Sequence, residues 1–260
     1  MLRPRIIPVL LIRNGGLIKT VGFKDGKYLG DPINAVKIFN EKEVDELVVL
    51  DIDATALNNE PNYEMISNLA SECRMPLCYG GGVSTPEQVE KIISLGVEKV
   101  AISSAAIVNP ALITEAAKRV GNQSIVVVVD VKKTGLLRKY EIFITNGKRK
   151  TGVSPFEFVP KLEALGAGEV VINSIEDDGS MKGFNITLAK NIRKETNLPL
   201  TILGGAGSLE DIHKVIKEFG IIGIAAGSLF VFKGKYRAVL INYPERELKN
   251  TLVTENNKCD

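Results

Sequence analysis

A chain of 260 residues, 45% hydrophobic and 25% charged, is long enough for one large core and has an ordinary globular composition. Its formal net charge of +2 and the absence of a transmembrane-length apolar run argue against nucleic acid or a membrane as a partner. Cys73, Cys78 and Cys259 have neither metal-ligand nor disulfide spacing, so we predict no metal and no cofactor. No signal peptide is visible, and we expect a reducing, cytoplasmic location.

Apolar runs of strand length alternate with capped helices along the chain. Strands are predicted at 5–12, 46–51, 76–79, 99–102, 125–130, 169–174, 199–203 and 221–226. N-cap residues, among them Asp31, Thr85, Ser154 and Ser208, open helices between these strands. Eight alternations within residues 1–260 favour a single (β/α)8 barrel over an open sheet.

Two segments depart from this alternation. Residues 135–152 are longer than a usual connection, and Asn146-Gly147 within them predicts a hairpin on the barrel top. The basic run at 148–150 is interpreted as a solvated loop tip. The polar tail at 246–260 is expected to fray.

The sequence repeats at about half its length. Gly80 and Gly204 are 124 residues apart, as are Ser104 and Ser228. The run at 46–51 resembles the run at 169–174 at an offset of 123. We therefore predict a two-fold half-barrel repeat, with halves at about 1–123 and 124–245.

Glycines and small residues end several strands. Backbone N–H groups at such ends, together with a helix N-terminus, form a phosphate site, and in β/α barrels this site commonly follows the last two strands. The alternative is a set of tight turns that need glycine for positive φ. We predict two phosphate cradles, which suit a ligand with a phosphate at each end. One comprises Gly82 and Ser104 with Ser103 beside them, and the other Gly179, Gly205, Gly227 and Ser228.

Candidate catalytic side chains follow the carboxyl ends of the strands, where barrel active sites lie. They are Lys19, Asp51 and Asp130. Asp130 follows five apolar residues, so burial is expected to raise its pKa and suit it to acid–base chemistry. The alternative is a carboxylate paired with Lys132 or Lys19 that only holds loops. His213, the one histidine, is expected at the surface.

Four charged residues lie at the opposite ends of the strands. Arg5, Glu46, Lys99 and Glu169 start strands 1, 2, 4 and 6. Two cations and two anions near the barrel bottom are expected to pair as a ring around the axis. The alternative is an ion-pair cluster that stabilises this face and gates nothing.

Along nearly its whole length, the chain resembles the HisF family, the cyclase subunits of imidazole glycerol phosphate synthase. The motifs that carry this resemblance are Arg5-Ile6-Ile7-Pro8, Lys19, Gly30-Asp31-Pro32, Asp45-Glu46-Leu47, Leu50-Asp51-Ile52, Gly80-Gly81-Gly82, Gly166-Ala167-Gly168-Glu169, Asp178-Gly179 and Gly204-Gly205-Ala206-Gly207. The resemblance implies a (β/α)8 barrel paired with a glutaminase, HisH, whose ammonia enters at the barrel bottom. Arg5, Glu46, Lys99 and Glu169 fall on the family's gate positions.

Two places in the sequence depart from the family pattern. The family's two catalytic aspartates end strands 1 and 5; Asp130 matches the second, but Leu11 occupies the first. Ser103-Ser104 stands where the family has asparagine and threonine. Because leucine cannot transfer a proton, little cyclase activity is expected.

Leu11, the run at 39–47 and the run at 225–232 resemble the HisF-like WbuZ branch, which is associated with acetamidino modification of bacterial surface sugars. There, a separate sugar amidotransferase is thought to use the ammonia. Three alternatives stay open: an ammonia-handling subunit for sugar amidation, a true cyclase of histidine biosynthesis, and a conduit with no chemistry of its own.

Overall fold

The computed structural model describes residues 3–254. Cys259 and the end of the predicted polar tail, residues 255–260, lie outside the described residues. In chain order the strands are β1 (Arg5–Arg13), β2 (Gly16–Val21), β3 (Lys24–Gly30), β4 (Leu47–Asp51), β5 (Leu77–Gly80), β6 (Lys99–Ile102), β7 (Ile125–Thr134), β8 (Lys139–Ile144), β9 (Arg149–Lys150), β10 (Glu169–Ser174), β11 (Leu200–Leu203), β12 (Gly223–Ala226), β13 (Phe232–Lys233) and β14 (Ala238–Val239).

The helices pack around these strands. In chain order they are α1 (Pro32–Glu41), α2 (Tyr63–Glu72), α3 (Pro86–Ser94), α4 (Ser104–Val108), α5 (Ala111–Val120), α6 (Pro155–Phe158), α7 (Leu162–Leu165), α8 (Ile186–Glu195), α9 (Leu209–Phe219), α10 (Ser228–Val231) and α11 (Arg246–Thr254). None of the helices in residues 3–254 combines the length and the apolar character that crossing a bilayer requires.

Eight parallel strands close into a (β/α)8 barrel, as predicted. Their order around the barrel is β1, β4, β5, β6, β7, β10, β11 and β12. The ring closes where β12 pairs with β1, and Ile7 lies opposite Ala225 there. Within the second half, β7 pairs with β10, and Asp130 lies opposite Asn173. The strand pairing therefore brings the predicted catalytic carboxylate beside a polar residue of the next barrel strand.

The structure contains a hairpin after the first barrel strand that the sequence analysis does not predict. β1 turns back through Asn14-Gly15, both at positive φ, into the antiparallel strand β2, which in turn pairs with β3. Asn-Gly is the strongest short hairpin signal in a sequence, so this turn was detectable. Lys19, which follows β1 in the chain as expected, lies within β2 of this hairpin.

The two halves repeat in their helix caps as well as their strands. Six N-cap side chains accept a hydrogen bond from a backbone N–H group of the following helix, and they form three pairs, each 123 residues apart: Asp31 with Ser154, Asn62 with Asn185, and Thr85 with Ser208. The first strand of each half also continues into an antiparallel hairpin, β1 into β2 and β7 into β8. The predicted half-barrel repeat is therefore confirmed at the level of local structure.

Two apolar layers form the core. The outer layer lies between strands and helices and includes the fully buried Phe39, Leu69 and Ile92. The inner layer fills the barrel axis with Ile7, Val9, Cys78, Ala101, Val126, Val128, Val171, Leu203 and Ala225. Because the strands are buried on both faces, they read in the sequence as unbroken apolar runs instead of alternating ones.

The chain's last described segment is a helix. The expectation that the tail frays from residue 246 is wrong for residues 246–254, which form α11. Lys249 of this helix lies 2.8 Å from the Asp45 carboxylate, and Leu252 is buried. Packing and an ion pair at the barrel bottom therefore hold a segment whose composition is polar.

The paired caps give a direct test of the repeat. Thr85 and Ser208 each form a capping box, with Gln88 and Asp211 respectively. We expect Thr85→Ala and Ser208→Ala each to lower the free energy of unfolding by about 1 kcal/mol, because each exposes an unpaired helix N–H group. Urea denaturation of both variants measures this. Ser94→Ala, on the exposed end of α3, is the control and should change stability by less; equal losses in all three variants would contradict the interpretation.

Candidate functional site

A cleft opens on the barrel top, at the carboxyl ends of the strands. It encloses about 1050 Å³ of space, including the solvent at its mouth. The predicted residues that line it are Leu11, Lys19, Asp51, Ser103, Ser104, Asp130 and Gly227. Gly82, Gly179, Gly205 and Ser228 do not line it. The structure therefore brings all three candidate catalytic groups together, along with part of the predicted phosphate set.

Asp130 is held by neutral hydrogen-bond donors. Asn173 Nδ2 donates to its Oδ1 at 2.9 Å, and Ser103 Oγ donates to its Oδ2 at 3.3 Å. Neither Lys19 nor Lys132 forms an ion pair with this carboxylate in the described part of the chain. The alternative of a loop-holding salt bridge at Asp130 is therefore wrong.

Burial favours the neutral, protonated form of Asp130. Burial raises its pKa to about 6, the Asn173 and Ser103 hydrogen bonds oppose this shift, and the negative charge of Asp178 adds to it. A carboxyl group with a pKa near 6 can both accept and donate a proton close to neutral pH.

Lys19 is a buried cation beside this carboxyl group. It is 4% exposed, and its Nζ lies 3.0 Å from both oxygens of Asp178. Gly227 leaves room for it, since a Cβ at position 227 would lie 2.9 Å from Lys19 Cε. The close approach of the Lys19 side chain therefore explains why a glycine follows β12.

Asp51 lines the cleft but is tied to its own loop. Its Oδ1 accepts hydrogen bonds from the backbone N–H groups of Asp53 and Ala54, both at 3.1 Å. Burial raises its pKa, and these two bonds oppose the rise. Its present contacts shape the turn after β4, and a catalytic role for it stays a prediction.

The remaining predicted phosphate residues make close backbone contacts. Gly82 N–H donates to Thr55 Oγ1 at 3.1 Å. A Cβ on Gly179 would lie 2.4 Å from the Thr20 carbonyl oxygen, and one on Gly205 would lie 2.0 Å from the Gly183 carbonyl oxygen. These three glycines also have positive φ. The turn interpretation explains them without a ligand, and their phosphate role stays a prediction.

Unsatisfied polar atoms lie in and beside the cleft. Thr20 Oγ1, Asn173 Oδ1 and Ser228 Oγ are buried without a hydrogen-bond partner within residues 3–254. Thr20 and Asn173 line the cleft. Buried polar atoms are nearly always paired, so such groups call for a partner from outside the chain. Sequence reasoning missed Asn173 and Thr20; the signal for Asn173 was an amide in an otherwise apolar strand.

The four charged residues at the barrel bottom form one closed cluster, as predicted. Arg5 bonds to both Glu46 and Glu169, the latter at 2.7 Å, and Lys99 Nζ lies 2.9 Å from each glutamate. Thr201 Oγ1 also donates to Glu169 at 2.6 Å. Burial alone would raise the pKa of Glu169, but the Arg5 hydrogen bond and the charges of Arg5 and Lys99 lower it. This carboxylate therefore stays ionised at neutral pH.

A narrow apolar cavity lies between this cluster and the upper cleft. It measures about 20 Å³, room for about one molecule the size of water. Glu46, Glu169 and Thr201 line its lower end. Its upper walls are shared with the cleft, and they are Val9, Leu50, Ala101, Val128 and Leu203. Leu11 packs against this axial layer from above.

Comparison with known proteins identifies the family. The model of the histidine biosynthesis protein family matches residues 5–237. A Vibrio vulnificus protein is 58% identical over 244 residues, 94% of each chain. A Leptospira interrogans protein is 54% identical over 252 residues, 97% of this chain and 99% of the relative. A Pseudomonas aeruginosa protein is 52% identical over 245 residues, 94% of this chain and 97% of the relative. All three are named as candidate HisF subunits of imidazole glycerol phosphate synthase. This chain belongs to the HisF family.

Membership of the HisF family confirms the resemblance and the barrel that it implied. The names of these relatives mention no surface sugar, so they do not separate the WbuZ branch from the rest of the HisF family. Among the described residues, no three His, Cys, Asp or Glu side chains group in a way that suits a metal ion.

The raised pKa of Asp130 makes a prediction about stability. In the unfolded chain this carboxyl ionises near its usual pKa of about 3.9, and in the folded protein near 6. Between these values the folded state binds more protons, so ionising Asp130 lowers stability as pH rises. We expect Asp130→Asn to raise the free energy of unfolding by roughly 1–3 kcal/mol above pH 6, with little gain below about pH 4.

Urea denaturation across this pH range measures the effect. Asp53→Asn, at a partly exposed carboxylate paired with Arg13, is the control and should show no such gain. A gain for Asp130→Asn that is equal at all pH values would rule out ionisation as its cause.

Proposed function

We propose that this chain is the cyclase-type subunit of an imidazole glycerol phosphate synthase, and that it receives ammonia from a separate HisH-type glutaminase. The observation that carries this proposal is the charged cluster at the barrel bottom, with an apolar axial cavity between it and a cleft that contains Asp130 and Lys19. The names of the relatives support the same function. HisF subunits pair with HisH glutaminases, and the face around Arg5 and Lys99 is the docking surface we propose.

The axial cavity suits ammonia better than ammonium. Its walls are apolar above the charged cluster, and an ion would lose its hydration there at a cost of several kcal/mol. Neutral ammonia is about the size of water and carries no such cost. At the entrance, Glu46 and Glu169 stay paired with cations, so ammonia passes only when these pairs part. We propose that glutaminase binding favours this opening.

A ligand with two phosphates fits the cleft in this proposal. Lys19 supplies a buried positive charge, and Thr20 and Ser228 supply unpaired hydroxyl groups in or next to the cleft. Ser103 and Ser104 line the opposite side, although Ser103 now bonds to Asp130 and Ser104 Oγ accepts from Thr145 N–H. The two phosphate cradles predicted from the glycine clusters are kept as part of this proposal.

Asp130 is the proposed proton-transfer group. Its pKa near 6 lets it take a proton from attacking ammonia and return one to a leaving group. Lys19 is held in place by Asp178 and offsets developing negative charge nearby. Asn173 and Ser103 fix the carboxyl group without a formal charge of their own. A second catalytic carboxylate, present at position 11 in the family pattern, is absent, so we expect turnover to be slow.

Leu11 favours a second candidate function. Its side chain lies in the cleft lining and extends the apolar axial layer upward, as a passage for ammonia would require. In this candidate the barrel delivers ammonia to a separate amidotransferase that modifies a bacterial surface sugar, as in the WbuZ branch. The barrel then performs no cyclisation.

The cyclase assay with ammonium salts as the nitrogen source separates the two candidates. We expect measurable but slow turnover by the wild type, and a loss of about 10²–10⁴ in rate for Asp130→Asn. Leu11→Asp should raise the rate because it restores a second carboxyl group to the cleft. Ser94→Ala controls for handling of the variants. Wild-type activity no greater than that of Asp130→Asn, unchanged by Leu11→Asp, would reject the cyclase and leave the sugar pathway.

The charged cluster makes a separate prediction about ammonia transfer. In the complex with its glutaminase, Glu46→Gln removes one anion from the cluster while keeping the side chain's shape. We expect it to lower glutamine-driven turnover several-fold more than ammonium-driven turnover, since only the former uses the entrance. Glu87→Gln, on an exposed ion pair with Arg119, should change neither. Equal losses from both nitrogen sources, or no binding of the glutaminase in calorimetry, would count against the ammonia route.

A further inference from the structure

The hairpin that follows Asp130 has a charge unlike that of the rest of the chain. We define the upper hairpin as residues 131–151, which comprise the end of β7, β8, β9 and their turns. It contains seven Lys and Arg side chains against one carboxylate, a net charge of +6, whereas the whole chain carries +2. The remaining residues therefore sum to −4. The cations are Lys132, Lys133, Arg138, Lys139, Lys148, Arg149 and Lys150.

The tip of the upper hairpin presents two leucines to solvent. Leu136 is 103% exposed and Leu137 is 80% exposed, the two highest values among the exposed leucines in residues 3–254. They occupy the turn between β7 and β8, which Gly135 and Arg138 close with a hydrogen bond of 3.2 Å. Burying a leucine is worth roughly 1.5–3 kcal/mol, so an adjacent, unpacked pair is a strong potential anchor for another surface.

Side-chain contacts brace the upper hairpin below its leucine tip. At its base Ile142 and Ile144 are buried, and Tyr140 makes an edge-on ring contact with Phe156 at 6.0 Å. Along its length Thr134 Oγ1 donates to Glu141 at 2.9 Å. A preformed apolar tip loses little conformational entropy on binding, which favours a specific contact.

We propose that the upper hairpin is a docking site for a second protein, one with an apolar pocket for Leu136 and Leu137 and an acidic surface that continues beside it. The hairpin reaches the cleft at its second turn, where Asn146 is part of the cleft lining. The proposal does not depend on which reaction the cleft performs.

The positions of the charges favour a protein over other occupants. The cations extend from Arg138 and Lys139 at the tip to Lys148 and Lys150 beyond the far end of β8, about 20 Å along six strand residues. A flat membrane touching the leucines would contact only the tip. Nucleic acid would use the cations but leave the two leucines unburied. A symmetric dimer through this hairpin would place two surfaces of net charge +6 against each other, and they would repel.

Photocrosslinking at the hairpin tip identifies the partner protein. A photoreactive benzoyl-phenylalanine at position 137 of the full chain, irradiated in the native cells, crosslinks the protein that contacts the tip. That protein is then purified and titrated by calorimetry with the wild type and with Leu136→Ser/Leu137→Ser. We expect the double variant to raise Kd about tenfold or more, because central apolar anchors dominate interface energies.

Two matched controls isolate the two parts of the site. Ile221→Ser/Leu248→Ser changes two exposed apolar residues outside the upper hairpin and should leave Kd unchanged. Lys148→Glu/Lys150→Glu should slow association and weaken its salt dependence, whereas Lys118→Glu/Lys217→Glu, on outer helices, should do neither.

Three outcomes overturn the proposal. One is a captured protein whose affinity is the same for wild type and Leu136→Ser/Leu137→Ser. Another is the absence of any crosslinked protein at position 137. The third is tighter binding of the wild type to phosphatidylglycerol vesicles or to a short DNA duplex than to the captured protein, lost in the same variants, which would assign the hairpin to a membrane or to nucleic acid.

Discussion

Two glutamates buried inside the lower end of the barrel constrain much of the rest of the structure. Glu46 and Glu169 are 3% and 5% exposed, and an unpaired carboxylate in such a position would cost several kcal/mol. Arg5 and Lys99, which start β1 and β6, supply the cations, and Thr201 adds its hydroxyl. The register of the strands is thus tied to an electrostatic condition at one end. The apolar axial layer above fills the remaining interior.

The two ends of the barrel meet opposite electrostatic conditions. At the bottom Glu169 bonds to Arg5 and Lys99, which lower its pKa against the effect of burial. At the top, within residues 3–254, the side chains bonded to Asp130 are Asn173 and Ser103, and burial raises its pKa. Lys19 is taken up by Asp178 instead of by Asp130. The same fold therefore keeps Glu169 ionised at neutral pH at one end and leaves Asp130 able to exchange a proton at the other.

Periodicity and turn chemistry predicted most of the fold, because they act locally. All eight barrel strands and the caps at Asp31, Thr85 and Ser208 could be identified from the sequence. The hairpin at Asn14-Gly15 also has a local signal, the Asn-Gly pair itself, which the sequence analysis does not use. The helix at the end of the described chain could not be predicted, since Lys249 finds Asp45 only through tertiary packing. In the site, residue types gave the candidates, but which donor faces Asp130 depended on the strand register that aligns it with Asn173.

Cys78 lies in the wall of the axial cavity beside the charged cluster, and burial raises the pKa of its thiol well above the usual value. Such a thiol keeps its proton at neutral pH. Its S–H stretching vibration absorbs in a part of the infrared spectrum where other protein groups are silent, and the frequency depends on whether the hydrogen faces hydrocarbon or a hydrogen-bond acceptor. The interior of this barrel therefore contains its own spectroscopic reporter, which senses the arrival of a small polar molecule without any added label.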